Sequence, residues 1–146
     1  MHDIFTTFRA HTQTAFVVNR SHALAAAYSL DGTRDFGIGT RFEGRHFRQE
    51  GYSISFEVAD AVSGKGDAVQ VHMPTIGRHN MENALASMAV ANLLGVSVED
   101  SARALATYPG IYRRHQCLGE VGGITVIDDY AHNPAKIAAS IRAYLS

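Results

Sequence analysis

The sequence lacks the features that mark several large classes of protein. Its single cysteine, Cys117, excludes an internal disulfide and a zinc site built from several thiolates. One cysteine in 146 residues fits a reducing compartment, so a cytoplasmic location is expected. Polar residues interrupt every apolar stretch in residues 1–30, so no signal or membrane segment is expected there.

Neither sign of charge is in excess. Thirteen Lys and Arg residues face fourteen Asp and Glu residues, which gives a formal net charge of −1. Such a balance offers no broad basic surface, so neither nucleic acid nor a membrane is expected among the partners. With 46% hydrophobic residues, the chain should nevertheless bury a globular core.

The first half of the chain predicts an α/β layer followed by a small sheet. The spacing around Phe8 predicts a helix, and the apolar run 14–19 predicts a short buried strand. The alanine-rich residues 21–29 predict a second helix with Ser21 as its N-cap. Three short runs separated by turn-rich segments then predict an antiparallel meander, at 41–47, 52–58 and 68–73.

The second half predicts two packed helices, a hairpin and a further helix. One helix should run from Asn80 to a cap at Gly95, and Ser97 should cap the next, which Pro109-Gly110 ends. A hairpin around Gly122-Gly123 and a final helix from Pro134 should follow, with Cys117 as a small core residue. Apolar residues on one face of the final helix lack an obvious sheet to cover, so the sequence reads as a partial chain.

Three polar segments carry the side chains suited to binding. In residues 77–84, Asn80 and Asn83 lie one helical turn apart, and amides match the donor and acceptor edge of adenine. The alternative is that His79 or Asn80 only caps the helix. In residues 112–116, a guanidinium group could reach phosphate oxygens across a cleft, or the basic pair could simply be solvated.

The third segment, residues 128–134, follows a predicted strand and precedes a helix. It holds two carboxylates, a phenol, an imidazole and an amide, at the strand end where α/β proteins bind ligands. A carboxylate there can accept ribose hydroxyls, and His132 near a helix N-terminus can serve phosphate. The alternative is a turn and a helix cap. The remaining histidines show no metal-ligand spacing, so no metal site is assigned.

Together these segments resemble the Mur ligases, ATP-dependent enzymes that add amino acids or peptides to the muramic-acid stem of peptidoglycan. The resemblance is carried by residues 77–86, 113–116 and 128–134, in that order. It implies an α/β fold made of part of the central ATPase domain, a parallel sheet with helices plus a small antiparallel sheet, and then the start of an α/β C-terminal domain. The boundary would fall between residues 1–110 and residues 111–146.

The resemblance also implies a role for individual residues. Asn80 and Asn83 would contact adenine, Arg114 the nucleotide phosphates, and Asp129 the ribose, while Tyr130 and His132 would line the same pocket. ATP and Mg²⁺ would be the cofactors, with the metal ligands outside this chain and no catalytic residue within it. The full-length ligase would phosphorylate the carboxylate of a UDP-muramoyl substrate, and an amino acid or peptide would displace the phosphate.

Departures from the family pattern limit what this chain can do alone. Gln116 stands where the family has Glu, and residues 19–22 differ from its Asn-x-Asp-Asp stretch. No glycine-rich phosphate loop occurs, so we expect the chain alone to be inactive and to bind ATP poorly. The missing remainder of the ligase would be a partner.

The substrate stays open at this point. Residues 128–132 are similar to those of ligases acting on muramate and L-alanine or on a recycled murein tripeptide, and residues 132–134 also resemble the matching segment of cyanophycin synthetase. A folate-type polyglutamate ligase shares the architecture. A split or degenerate module without catalysis is the alternative from another class.

Overall fold

The computed structural model describes residues 2–59 and 68–145. The predicted turn at 63–67 lies outside the described residues. In chain order the elements are α1 His2–His11, α2 Ala23–Ala26, β1 Gly44–Glu50, β2 Ser53–Ala59, β3 Ala68–Met73, α3 Arg78–Leu93, α4 Val98–Ala106, β4 Gln116–Val121, β5 Ile124–Asp128 and α5 Pro134–Tyr144.

Strands β1, β2 and β3 form the predicted antiparallel meander. Alternate side chains of β2, those of Ile54, Phe56 and Val58, are buried because successive residues of a strand point to opposite faces. Strand β1 begins at Gly44, later than expected, and a bulge interrupts its pairing with β2 between Arg45 and Arg48.

Helices α3 and α4 complete the core with the sheet. The buried face of α3 contributes its larger apolar side chains, and α4 packs against β3. The cap of α3 follows prediction: the N–H of Gly95 donates to Asn92 and that of Val96 to Ala91, which is a Schellman ending. The Ser97 hydroxyl then accepts from the Asp100 N–H and starts α4. The core residues are Phe42, Ile54, Phe56, Val58, Val71, Met73, Met81, Ala84, Leu85, Met88, Ala89, Val98 and Ala102.

Two predictions for the N-terminal region are wrong. Residues 14–19 form no regular strand, because the Asp35 carboxylate accepts the Val18 N–H at 2.9 Å and replaces a strand partner. The strand-like pairing that the structure describes here consists of isolated parallel bridges, Asn19 to Phe36 and Phe36 to Phe42. Helix α2 is four residues long, and His22, whose side chain makes no capping hydrogen bond, takes the cap position expected for Ser21.

The hairpin β4–β5 and the helix α5 follow the predicted order, and the Asn133 side chain caps α5 by accepting from the Lys136 N–H. Cys117, expected in the core, is exposed, because this hairpin packs against no second layer within the described residues. Over residues 2–59 and 68–145, every helix is too short or too polar to cross a membrane.

Candidate functional site

A cleft of about 700 Å³ lies between the N-terminal half of α3, the segment after Pro109-Gly110, and the start of α5. Five of the six predicted nucleotide-binding residues line it: Asn80, Asn83, Arg114, Asp129 and Tyr130. The sixth, His132, is exposed beside the cleft, where its Nδ1 lies 3.0 Å from the Tyr130 carbonyl oxygen. Residues far apart in sequence therefore meet at one concave surface.

The Asn80 side chain is fixed by hydrogen bonds to residues just before α3 and in its first turns. Its amide nitrogen donates to the Thr75 hydroxyl at 2.9 Å and to the Ile76 carbonyl at 2.8 Å. Its carbonyl oxygen accepts from the Asn83 amide at 3.3 Å. Both amide hydrogens of Asn80 are thus used, and only the acceptor capacity of its oxygen remains for a ligand. The alternative that His79 or Asn80 caps α3 is wrong, since the N-cap is Gly77, without a side-chain bond.

The two neighbouring arginines behave differently. The Arg113 guanidinium pairs with the Asp128 carboxylate at 3.1 Å and lies over the Tyr130 ring. Arg114 lines the cleft and forms no ion pair with any of the residues that the structure describes. Of the two, Arg114 is therefore the cation available to an anionic ligand in the cleft.

Asp129 is fixed through one carboxylate oxygen. Its Oδ2 accepts from the His115 N–H and from the Ser140 hydroxyl, each at 3.2 Å. Its side chain is 17% exposed, and Oδ1 accepts no hydrogen bond from the described part of the chain. A half-buried carboxylate with one oxygen held and the other open is suited to accept a hydrogen bond from a ligand hydroxyl.

Two histidines meet at the edge of this cleft, and sequence reasoning missed the pairing. The Nε2 atoms of His79 and His115 lie 3.1 Å apart, and Nδ1 of His115 lies 2.7 Å from the Tyr144 hydroxyl. Burial lowers the pKa of both imidazoles; the charge of His115 lowers that of His79 further, while Asp129 opposes the shift at His115. Burial also raises the pKa of the Tyr144 hydroxyl. No short-range spacing in the sequence signals a pair so widely separated.

The described residues offer three kinds of polar group to a ligand in the cleft. They offer a fixed acceptor at Asn80, an open carboxylate oxygen at Asp129 and an unpaired cation at Arg114. Among residues 2–59 and 68–145, no group of three or more His, Cys, Asp or Glu side chains is arranged to hold a metal.

Sequence comparison supplies relatives over most of the chain. A UDP-N-acetylmuramate–L-alanine ligase of Cereibacter sphaeroides is 41% identical over 111 residues, which cover 74% of this chain and 24% of that protein. The ligase of the same name from Synechocystis is 34% identical over 147 residues, covering 97% of this chain and 28% of that protein. No protein-family model matches the sequence.

Solved structures give the same relationship. MurF from Acinetobacter baumannii superposes with a TM-score of 0.78 at 26% identity, over 94% of this chain and 31% of that one. The chain spans less than a third of the length of each of these three relatives. In sequence and in fold, the chain belongs to the Mur ligase family and matches an α/β portion of its longer relatives.

Proposed function

We propose that this chain supplies the adenosine-binding side of the nucleotide cleft in an ATP-dependent amide-forming ligase. The observation that carries the proposal is the meeting of Asn80, Arg114 and Asp129 at one cleft, from segments on both sides of Pro109-Gly110. A solvated linker or a set of helix caps would not require these three side chains to share a concave surface.

Recognition of the base would depend on an acceptor held in place. The Asn80 oxygen is oriented by the bonds to Thr75 and Ile76, so it can accept from the exocyclic amine of adenine without a loss of side-chain freedom on binding. Guanine carries a carbonyl oxygen at the corresponding position, and two acceptors would then face each other. Asn83, on the same helical face, adds a second exposed amide.

The opposite wall of the cleft would recognise the ribose and the phosphates. The open Oδ1 of Asp129 can accept a hydrogen bond from a ribose hydroxyl, and the Arg114 guanidinium can pair with a phosphate. The exposed ring of Tyr130 lines the cleft, with His132 packed beside it, and provides an apolar surface at its rim. These roles fill the six positions that the sequence resemblance assigned.

The longer protein would join a UDP-N-acetylmuramoyl carboxylate to an amino acid through an acyl phosphate, in the cytoplasm. L-Alanine is the favoured amino acid, because the relatives at 41% and 34% identity carry that name. ATP supplies the phosphoryl group when bound, and the residues described here orient its adenosine end. The remaining part of the ligase, with a phosphate loop and metal ligands, would be the partner that completes the site.

Nucleoside binding by this chain tests the proposal directly. We expect adenosine at millimolar concentration to shift amide NMR signals of residues 79–83 and 129–131, and guanosine to shift them much less. AMP should bind more tightly than adenosine, and Arg114→Ala should abolish that difference. Arg48→Ala, an exposed arginine on the meander sheet, is the matched control. Equal shifts from both nucleosides, or shifts only outside the cleft, would contradict the proposal.

A second measurement addresses catalysis. We expect no phosphate release when the chain is mixed with ATP, Mg²⁺, UDP-N-acetylmuramate and L-alanine, because the sequence contains no glycine-rich phosphate loop. Turnover by the chain alone would show that no further segment is needed. Activity that appears only after the remainder of such a ligase is added would support the proposal that this chain binds adenosine and the remainder binds the phosphates.

A further inference from the structure

The two regions on either side of Pro109-Gly110 are joined by a polar contact at the edge of the cleft. His79 belongs to the first turn of α3, and His115 immediately precedes β4. Their Nε2 atoms are 3.1 Å apart and their ring centroids 5.0 Å apart. The side chain of His115 is only 7% exposed and His79 is half-buried, so the pair is partly shielded from water.

His115 links the histidine pair to Asp129, because it also contacts the Asp129 carboxylate. The N–H of His115 donates to Oδ2 of Asp129, and its Nδ1 lies 3.3 Å from the same oxygen. A displacement of His115 would therefore move the carboxylate that faces the cleft. In this arrangement His115 and His79 are positioning residues, since Asp129 is the residue that would touch the ligand.

A hydrogen bond between two imidazole nitrogens requires one donor and one acceptor, so at least one ring must be neutral at Nε2. Two protonated rings would present hydrogen atoms to each other and would also repel electrostatically. The charges near the pair act in both directions: Asp129 and Glu82 favour protonation of His79, while Arg114 opposes it. The groups that face the pair from the neighbouring elements are Glu82, Arg114, Asp129 and Tyr144.

We propose that His79 and His115 form a joint that positions the Asp129 carboxylate, and that this joint holds only while at least one of the two imidazoles is uncharged. The part of the proposal that concerns nucleoside affinity rests on the proposed function. The joint itself concerns the protein alone and can be tested without a ligand.

The direction of the pH dependence follows from the lowered pKa values. Burial holds the pKa of both imidazoles below the usual value of 6.5 in the folded protein. The unfolded chain therefore binds more protons below that value, so the stabilisation is complete at higher pH and is lost as the pH falls through this range. Because the two sites interact, their titration should be shared by the pair.

NMR of the whole chain tests the joint through two ligand-free readouts. The ring signals of His79 and His115 should titrate together, below the usual imidazole value of 6.5. The amide of His115, which donates to Asp129, should lose roughly tenfold in exchange protection between about pH 8 and about pH 5. His115→Gln should remove this pH dependence, and His11→Gln on α1 should leave it unchanged.

Adenosine affinity, measured over the same pH range, provides the third readout. We expect the dissociation constant to rise roughly tenfold on acidification in the unaltered chain and in His11→Gln, and to stay nearly constant in His115→Gln. Independent titration of the two rings with constant protection of His115 would overturn the joint, even if adenosine binds. Absence of adenosine binding at every pH would instead refute the proposed function and leave the ligand-free test intact.

Discussion

The region from β1 to α4 and the region from β4 to α5 bury their apolar side chains to very different extents. In the first region, Phe56 and Met88 are each 1% exposed and belong to one core. In the second, Val121 on the hairpin is 76% exposed and Ile141 on α5 is 53% exposed. Only Ala143 of α5 is buried.

Different interactions therefore stabilise the first region and attach the second region to it. The first is stabilised by burial of apolar surface, which contributes about 25 cal/mol per Å² removed from water. The second is attached to it by polar contacts: the histidine pair and the Gln49 amide, which accepts from the Gly77 N–H and donates to the Ala143 carbonyl. The candidate nucleotide cleft lies at the boundary, so changes in ligand or pH should act mainly on the second region.

The largest expected effect is a loss of core packing in the first region. Phe56→Ala should lower the free energy of unfolding by about 3–5 kcal/mol, because the ring is fully buried and leaves a cavity. Val126→Ala, at a hairpin position that is 45% exposed, should cost less than about 1 kcal/mol. Urea denaturation measures both. Similar losses at the two positions would remove the contrast between the regions.

Gly77 lies where α3 meets α5, and a side chain there should disturb both. Its φ is +88°, and an added Cβ would come within 2.6 Å of the His79 ring and 3.0 Å of the Ala143 Cβ. Gly77→Ala should therefore cost about 2–3 kcal/mol, from backbone strain and overpacking together. The control Gly95→Ala has φ +87° with open space around the Cβ, and should cost about 1 kcal/mol. Equal losses in urea denaturation would mean that the contact has no effect.

Gln49 tests the attachment of α5 without changing the core. Gln49→Ala removes one hydrogen bond from each of two buried backbone groups, at a cost of about 2 kcal/mol. Amide exchange should show this loss in α5 while β2 keeps its protection. Gln70→Ala, on the exposed side of β3, is the control and should leave both elements unchanged. Loss of protection in β2 would mean that the two regions unfold as one.

The smallest effect compares matching helix caps in the two regions. Ser97 caps α4 and Asn133 caps α5, each through a hydrogen bond from a backbone N–H in the first turn. Replacement by alanine costs about 1 kcal/mol in either case. Ser97→Ala should lower the free energy of global unfolding, whereas Asn133→Ala should mainly increase local opening of α5. Urea denaturation and amide exchange together separate these outcomes.

Sequence reasoning succeeded where structure follows from neighbours along the chain. The meander, the helices α3, α4 and α5, and the caps at Ser97 and Gly95 all depend on side-chain periodicity or on contacts within a few residues. It failed at residues 14–19, where the distant Asp35 carboxylate replaces a strand partner. It also misjudged Cys117, because the apolar pattern of a hairpin does not reveal whether another layer covers it.

The candidate site likewise has features that the local sequence predicts and features that it does not. The sequence by itself determined which polar side chains stand at the start of α3, in the segment before β4 and in the segment before α5, because motif order and helix caps are local properties. Only the tertiary structure decided that Asn80, Arg114 and Asp129 share a cleft, that the Asn80 amide hydrogens are already used, and that His79 meets His115. Distances between residues so far apart in the chain depend on how the two regions pack, and no local pattern encodes that packing.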